Sequence, residues 1–587
     1  MRTVEELKEL IAAGKGEIPC DYKLTNVRLV NVFSAQVYVT NIYIKGKRIV
    51  SIDKEADLKA DNVIDCHKLF AMPGFIDSHM HFESTMLSPE ALAQEIIPKG
   101  TTTLMADLME IANVAGEAGL EEMLLSIKAL PYRMLLEISS RVPTAPGLET
   151  NGETLGVRQV SRLLDWEESR SLGEMDAAKI LITKEDEYLE KILAALNRRL
   201  VVNGHAIGHL GQELNIYASS GISDDHECVT YAELLNRLQV GMKVFIREGS
   251  SERNVDELVK GVVSNKLPTD NLMFCTDDKH ISDIRNEGHI NYNVNRSIEL
   301  GLPAMQAIQM ATVNAAKHFR MEDEVGSITP GRYADIIFSK SMERIEPVQV
   351  WFEGRPVTDE EGLLEKASVR QYPEWIKDTV HLKAPVTKES FEIPIFDNCS
   401  EVSVRVIELI RNQIINKERI VKMKPEQGKL CSDTDRDILK IGIVERYGKN
   451  GDVGRGFVSG FGLKQGAVAY SMSHDHHNIV VIGTNDKDMA ACANHLKKIH
   501  GGACVSMNEQ ILADICLPIG GLMSEKSADE VNDELEIINR EIKKLGCPLN
   551  SPLMTLSFIS LPTVPELGIT DKGLIDVINH KIIPLIV

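Results

Sequence analysis

Met72-Pro-Gly-Phe-Ile-Asp-Ser-His-Met-His81 is an apolar run that ends in two histidines one residue apart. Alternate side chains of a β-strand share a face, so His79 and His81 emerge side by side at the strand's end and can grip one metal ion. The same pair could be two half-buried strand histidines, and the rest of the chain decides between these readings.

Downstream of this run, apolar strands alternate with helical segments, as at Thr101-Thr-Thr-Leu-Met-Ala, Leu200-Val-Val-Asn-Gly-His and Leu272-Met-Phe-Cys-Thr-Asp. Repeated strand-helix units of this length predict a closed (β/α)₈ barrel over residues 73–322. Ionisable residues fall where each strand should end: His79 and His81, Asp107 and Glu110, Glu137, Glu174, His205, His226 and Glu227, Asp277 and Asp278. Active sites of (β/α)₈ enzymes are built at those ends. Singly, each residue reads more readily as a helix cap or a surface group. Together they form a nitrogen and oxygen ligand set that unrelated caps have no reason to supply.

Two ions sharing a carboxylate need about four to six protein ligands. His79, His81 and Asp277 suit one ion, His205 and His226 the other, with Glu174 between them. Imidazole and carboxylate without thiolate suit Mn²⁺ and Fe²⁺, and also Zn²⁺.

Outside the barrel, residues 1–72 read as an N-terminal helix and the first part of a small β domain, which 323–358 completes as a β-sandwich. A Pro-containing linker is expected over 359–395 and a C-terminal α+β domain over 396–587, with helices at Glu401–Asn416, Asp486–His500 and Ser527–Leu545. The chain has 587 residues and is 43% hydrophobic, enough for several cores. Its ten cysteines are scattered without a Cys-x-x-Cys pair, which fits a reducing, cytoplasmic setting. The N-terminus lacks signal-peptide character, and no apolar run reaches the ~20 residues that span a bilayer. A net charge of −21 disfavours nucleic acid and favours a small neutral or cationic substrate.

The segments Pro73-Gly-Phe-Ile-Asp-Ser-His-Met-His-Phe-Glu-Ser, Leu172-Gly-Glu-Met, Gly204-His-Ala, Asp225-His-Glu, Ile246-Arg-Glu-Gly-Ser, Cys275-Thr-Asp-Asp and Ser473-His-Asp-His-His-Asn occur in one order along the chain. In this the sequence resembles the bacterial adenine deaminases of the amidohydrolase superfamily, over nearly its whole length. The resemblance implies a two-metal hydrolase of purine salvage in which Glu174 takes the bridging place that a carboxylated lysine fills in many relatives. It also implies hydrolysis of a purine 6-amino group and a homodimer or larger assembly. Within that chemistry Asp277 is expected to accept the proton of the attacking water. Glu227 is the first candidate for the acid that protonates the base, with Glu110 and Asp278 as rivals. Arg247, Glu83 and Met109 are candidate substrate contacts, and Glu248 could hold Arg247 or a ligand imidazole.

The chain departs from the family where Asp107-Leu108-Met109-Glu110 replaces the usual Asp-Pro-His-Glu, and at Ile207, where proline is usual. Another amino-heterocycle is therefore the second candidate substrate, with cyclic amide or dipeptide hydrolysis and a catalytically silent scaffold as further rivals. His81-Phe-Glu83 matches the His-x-Glu of the zinc nucleotide deaminases, but their Pro-Cys-x-x-Cys is absent, which excludes that fold. The cluster His474-Asp475-His476-His477 reads as an active-site element or as a surface loop with equal ease.

Overall fold

The computed structural model describes residues 2–365, 367–395, 399–411, 414–563 and 566–587. Its centre is a ring of eight strands: Phe75–Met80, Thr101–Asp107, Arg133–Ser139, Ser169–Asp176, Val201–His205, Asp224–Asp225, Lys243–Arg247 and Leu272–Cys275. The first five pair in parallel in chain order, as do the last three. The Ser223 amide donates to the Val202 carbonyl at 2.9 Å across one junction, and the Asp277 amide donates to the His79 carbonyl at 3.0 Å across the other. A parallel strand cannot turn directly into its neighbour, so helices make the returns, among them Met109–Ile127, Asp186–Asn197 and Val255–Asn265. This cover explains why Thr101–Asp107 is buried at every position and reads as an unbroken run.

The segments on either side of the ring meet in one eight-stranded mixed sheet. Phe70–Pro73 lies parallel to Cys20–Asn31 and antiparallel to Ile336–Ser339. The strand that leads into His79 is thereby anchored at its start by residues more than two hundred positions away. Of the expected linker 359–395, residue 366 lies outside the described residues and the described part packs on the rest of the chain: Tyr372, Ile376 and Phe391 are buried, and the Tyr372 hydroxyl donates to Glu90 of the barrel at 3.1 Å.

A second eight-stranded sheet occupies the C-terminal part, carrying the helices Asp486–Lys498 and Ala528–Lys544. The Ala528–Lys544 helix begins with a full capping box, in which Ser527 and Glu530 satisfy each other's backbone amides. It packs on barrel helices, where Arg285 bridges Glu95 at 2.6 Å and Asp529 at 2.7 Å. The helix expected over 401–416 is instead the strand Val402–Leu409. Val402, Val404 and Val406 are β-branched and alternate with Ser403 and Arg405, and eight residue pairs with Asn416–Met423 fix the extended form. The expected helix also covered residues 412 and 413, which lie outside the described residues. All ten cysteines are free. Among the described residues no helix is long and apolar enough to cross a membrane.

Candidate metal centre and active site

Four imidazoles converge on one carboxylate oxygen at the C-terminal ends of the strands. Glu174 Oε1 lies 3.1 Å from His79 Nε2, 3.3 Å from His81 Nε2, 3.0 Å from His226 Nε2 and 3.7 Å from His205 Nδ1. Asp277 Oδ1 faces the same point, 3.6 Å from His79 Nε2 and 3.7 Å from His81 Nε2. All six expected metal ligands are buried, and the ring brings them together from the first, fourth, fifth, sixth and eighth strands and the turns that follow them.

The back sides of these ligands are held as well. His79 Nδ1 lies 2.6 Å from Glu137 Oε2, and His81 Nδ1 lies 3.1 Å from the Asp107 carbonyl. Such partners fix the ring and leave the other nitrogen for a ligand. The fit to metal ions rests on what remains unpaired: both ring nitrogens of His205 and Nε2 of His226 are buried without a hydrogen bond. A buried imidazole nitrogen left without a partner is costly, whereas a divalent cation satisfies it directly. No thiolate is present, so the donor set suits a hard to borderline ion.

Arg247 sits between two of the carboxylates. It donates to both Glu227 oxygens, at 2.8 and 2.9 Å, and to Asp277 Oδ2 at 2.7 Å. Burial alone would raise the Glu227 pKa, but Arg247, His205 and His226 outweigh it and hold the carboxyl well below its usual range. Glu227, expected as the first candidate acid, is thus a carboxylate paired with a guanidinium, an arrangement that disfavours proton donation. Asp277 is likewise held low, by His79 and Arg247 against the effect of burial. Asp278 behaves oppositely. Burial pushes it up to about 6, and it accepts a hydrogen bond from the Ser84 hydroxyl.

The cavity above the centre is lined by Met109, Glu110, Arg247 and Asp278 from the barrel, and by Ile414, His474, Asp475, Phe558 and Leu561 from the C-terminal part. Ile414 and Phe558 also line a wider cleft of about 530 Å³. Met109 therefore lies on the wall, as expected of a substrate contact. Glu83 does not: it is fully buried, with Oε1 accepting from the Ile111 amide at 3.4 Å, and burial beside Glu110 raises its pKa well above the usual value. Glu248 holds neither Arg247 nor an imidazole. It accepts from the Val255 amide at 3.1 Å, at the start of the following helix, and so serves local structure. Asp107 packs against Gly173, where a Cβ would come within 2.1 Å of Oδ2, so a side chain before Glu174 would displace the Asp107 carboxylate.

Arg141 was missed from sequence. It follows the third strand directly, bonds Glu174 Oε2 and lies 3.4 Å from Asp475 Oδ2. Its position two residues past a strand end was the signal that could have found it. The surface-loop reading of His474–His477 is wrong, because all four residues are buried, and His474 reaches the cavity.

A parallel barrel whose strand ends carry His-x-His, a glutamate, two further histidines and an aspartate defines a metal-dependent hydrolase of the amidohydrolase kind. The amidohydrolase family profile matches residues 70–357, and the profile of the adenine deaminase C-terminal domain matches residues 413–581. The chain is 48% identical to an adenine deaminase of Desulforamulus reducens over 584 residues, covering 100% of this chain and 99% of that protein. It is 39% identical to one from Methanothrix thermoacetophila and 36% identical to one from Moorella thermoacetica, each over 99% of this chain and 99% and 98% of theirs. The chain belongs to the adenine deaminase family.

Proposed function

We propose that this protein hydrolyses adenine to hypoxanthine and ammonia at a centre of two divalent metal ions. The observation that carries the reading is the convergence of four imidazoles and Asp277 on the single carboxylate of Glu174, in a chain of this family. His79, His81 and Asp277 would hold one ion, His205 and His226 the other, and Glu174 would be shared. Mn²⁺ and Fe²⁺ suit the donors, as does Zn²⁺. When bound, such ions lower the pKa of a coordinated water towards ~7 and so make hydroxide available at neutral pH.

The chain's own groups supply the proton traffic. Arg247 fixes one oxygen of Asp277 and turns the other towards the imidazoles, which orients Asp277 to accept the proton of the attacking water. Attack at C6 requires a proton on the neighbouring ring nitrogen, and the amine leaves only after gaining one. Asp278 is the best placed donor: it lines the cavity, lacks a guanidinium partner, and has a pKa near the working range. Glu110 lies 3.2 Å from His81 Nδ1 and is held low by His81 and His474 despite its burial, which makes it a poorer proton donor than Asp278.

The test is turnover of adenine in ¹⁸O-enriched water. Hydrolysis places one heavy oxygen in the hypoxanthine and releases one ammonia per turnover. Absence of both products from the Mn²⁺-loaded protein would overturn the proposal and point to another amino-heterocycle.

A further inference from the structure

His474 comes from outside the barrel, yet it stands in the wall of the catalytic cavity. Its Nδ1 lies 3.4 Å from Glu110 Oε1 and its Nε2 lies 3.7 Å from Asp278 Oδ1, while its ring stacks on Phe558 with centroids 5.2 Å apart. It is 2% exposed, and Nε2 has no hydrogen-bond partner. A buried polar atom aimed into a cavity without a partner is costly unless a ligand completes it.

The loop that carries His474 is built to hold it still. The His474 amide donates to the Ser557 carbonyl at 3.1 Å, the Ser560 hydroxyl donates to the His474 carbonyl at 3.0 Å, and the His477 amide donates to the Ser473 carbonyl at 2.7 Å. Ser473 and Ser560 also share a hydroxyl–hydroxyl bond of 2.7 Å. The helix Pro552–Phe558 thus supplies both the anchor of the loop and the aromatic face behind the imidazole. Preorganised polar groups of this kind fix a ligand's orientation at little entropic cost.

We propose that His474 contacts the base directly, its Nε2 donating a hydrogen bond to N7, the imidazole-ring nitrogen on the edge next to the reacting carbon, so that the C-terminal part completes the substrate site. The inference rests on the aminopurine reading above and extends it: the barrel holds the reacting groups, and His474 reads the edge of the ring.

The test uses the full-length, metal-loaded protein and hypoxanthine as the probe, so that binding is read apart from chemistry. His474→Phe keeps the stack on Phe558 and removes the nitrogens. It should weaken hypoxanthine binding and raise the KM for adenine by about 10-fold, the scale of one lost hydrogen bond, with metal content unchanged. His474→Gln, which restores a donor, should recover part of the loss. On the unsubstituted protein, 7-deazahypoxanthine should bind about 10-fold more weakly than hypoxanthine, and that difference should vanish in His474→Phe. This arm stands even if the variants fold poorly.

Binding of 7-deazahypoxanthine as tightly as hypoxanthine would overturn the proposal. So would loss of a metal ion in His474→Phe, because Glu110, His474 and His477 lie close enough to hold one themselves. Turnover of adenine by the wild-type protein, measured alongside, shows whether a failure belongs to this inference or to the reading beneath it.

Discussion

Two histidine clusters face each other across the cavity, one on the barrel and one in the loop 473–478, and they are held in opposite ways. In the barrel, side chains from distant strands converge on Glu174 Oε1, and the rear nitrogens of His79 and His81 are tied by Glu137 and a backbone carbonyl. In the loop, adjacent residues diverge. His474 enters the cavity, while His476 turns away and accepts the Asn478 amide at 3.1 Å through Nδ1. The denser run of histidines in the sequence is therefore not the convergent one. Ligand sets are made by topology, which brings strand ends together, more than by spacing along the chain.

The difference predicts a graded response to substitution. Glu174→Gln should be the most severe, since it removes the charge on which four imidazoles converge. The activity should fall by about 10⁴-fold, the combined scale of proton transfer and metal activation, and elemental analysis should find the metal complement reduced. Asp277→Asn should cost about 10³-fold in kcat, with folding unchanged by circular dichroism. Arg141→Met leaves the ligands in place but frees the rear oxygen of Glu174, so metal affinity in a chelator competition should drop about 10- to 100-fold. His476→Ala should leave kcat and KM at wild-type values. It should lower stability by about 1–3 kcal/mol, the cost of leaving the buried Asn478 amide unsatisfied, read from denaturant midpoints. A kinetic defect in His476→Ala that matched the one in His474→Phe would break the comparison, because it would make the loop act as one cluster.

How much of this was legible in the sequence follows the same division. The first strand and its His-x-His, the strand-end carboxylates and the six side chains that converge could be read because a fully covered parallel strand is a largely apolar run with its functional residue at one end. Ion pairing across strands was not legible. That Arg247 would lock Glu227 depends on two strand ends lying side by side, and nothing within either segment records it. The helix expected over 401–416 failed for a related reason: Val402, Val406 and Leu409 also suit a helical face, and only the partner strand Asn416–Met423 settles the extended form. Arg141 was passed over because it lies beyond its strand, in a segment with no motif to mark it. The polar, proline-containing stretch over 359–395 read as a linker because burial of Tyr372 and Ile376 depends on surfaces supplied by other parts of the chain.

The central claim is one shared-carboxylate centre that deaminates adenine. Its most direct test is ammonia release from adenine by protein reconstituted with Mn²⁺, with metal content determined on the same sample before and after chelation. Rapid release is expected at about two ions per chain, as a shared-carboxylate centre requires, with activity lost on chelation and regained on adding the ion. Full activity that survives removal of both ions would contradict it.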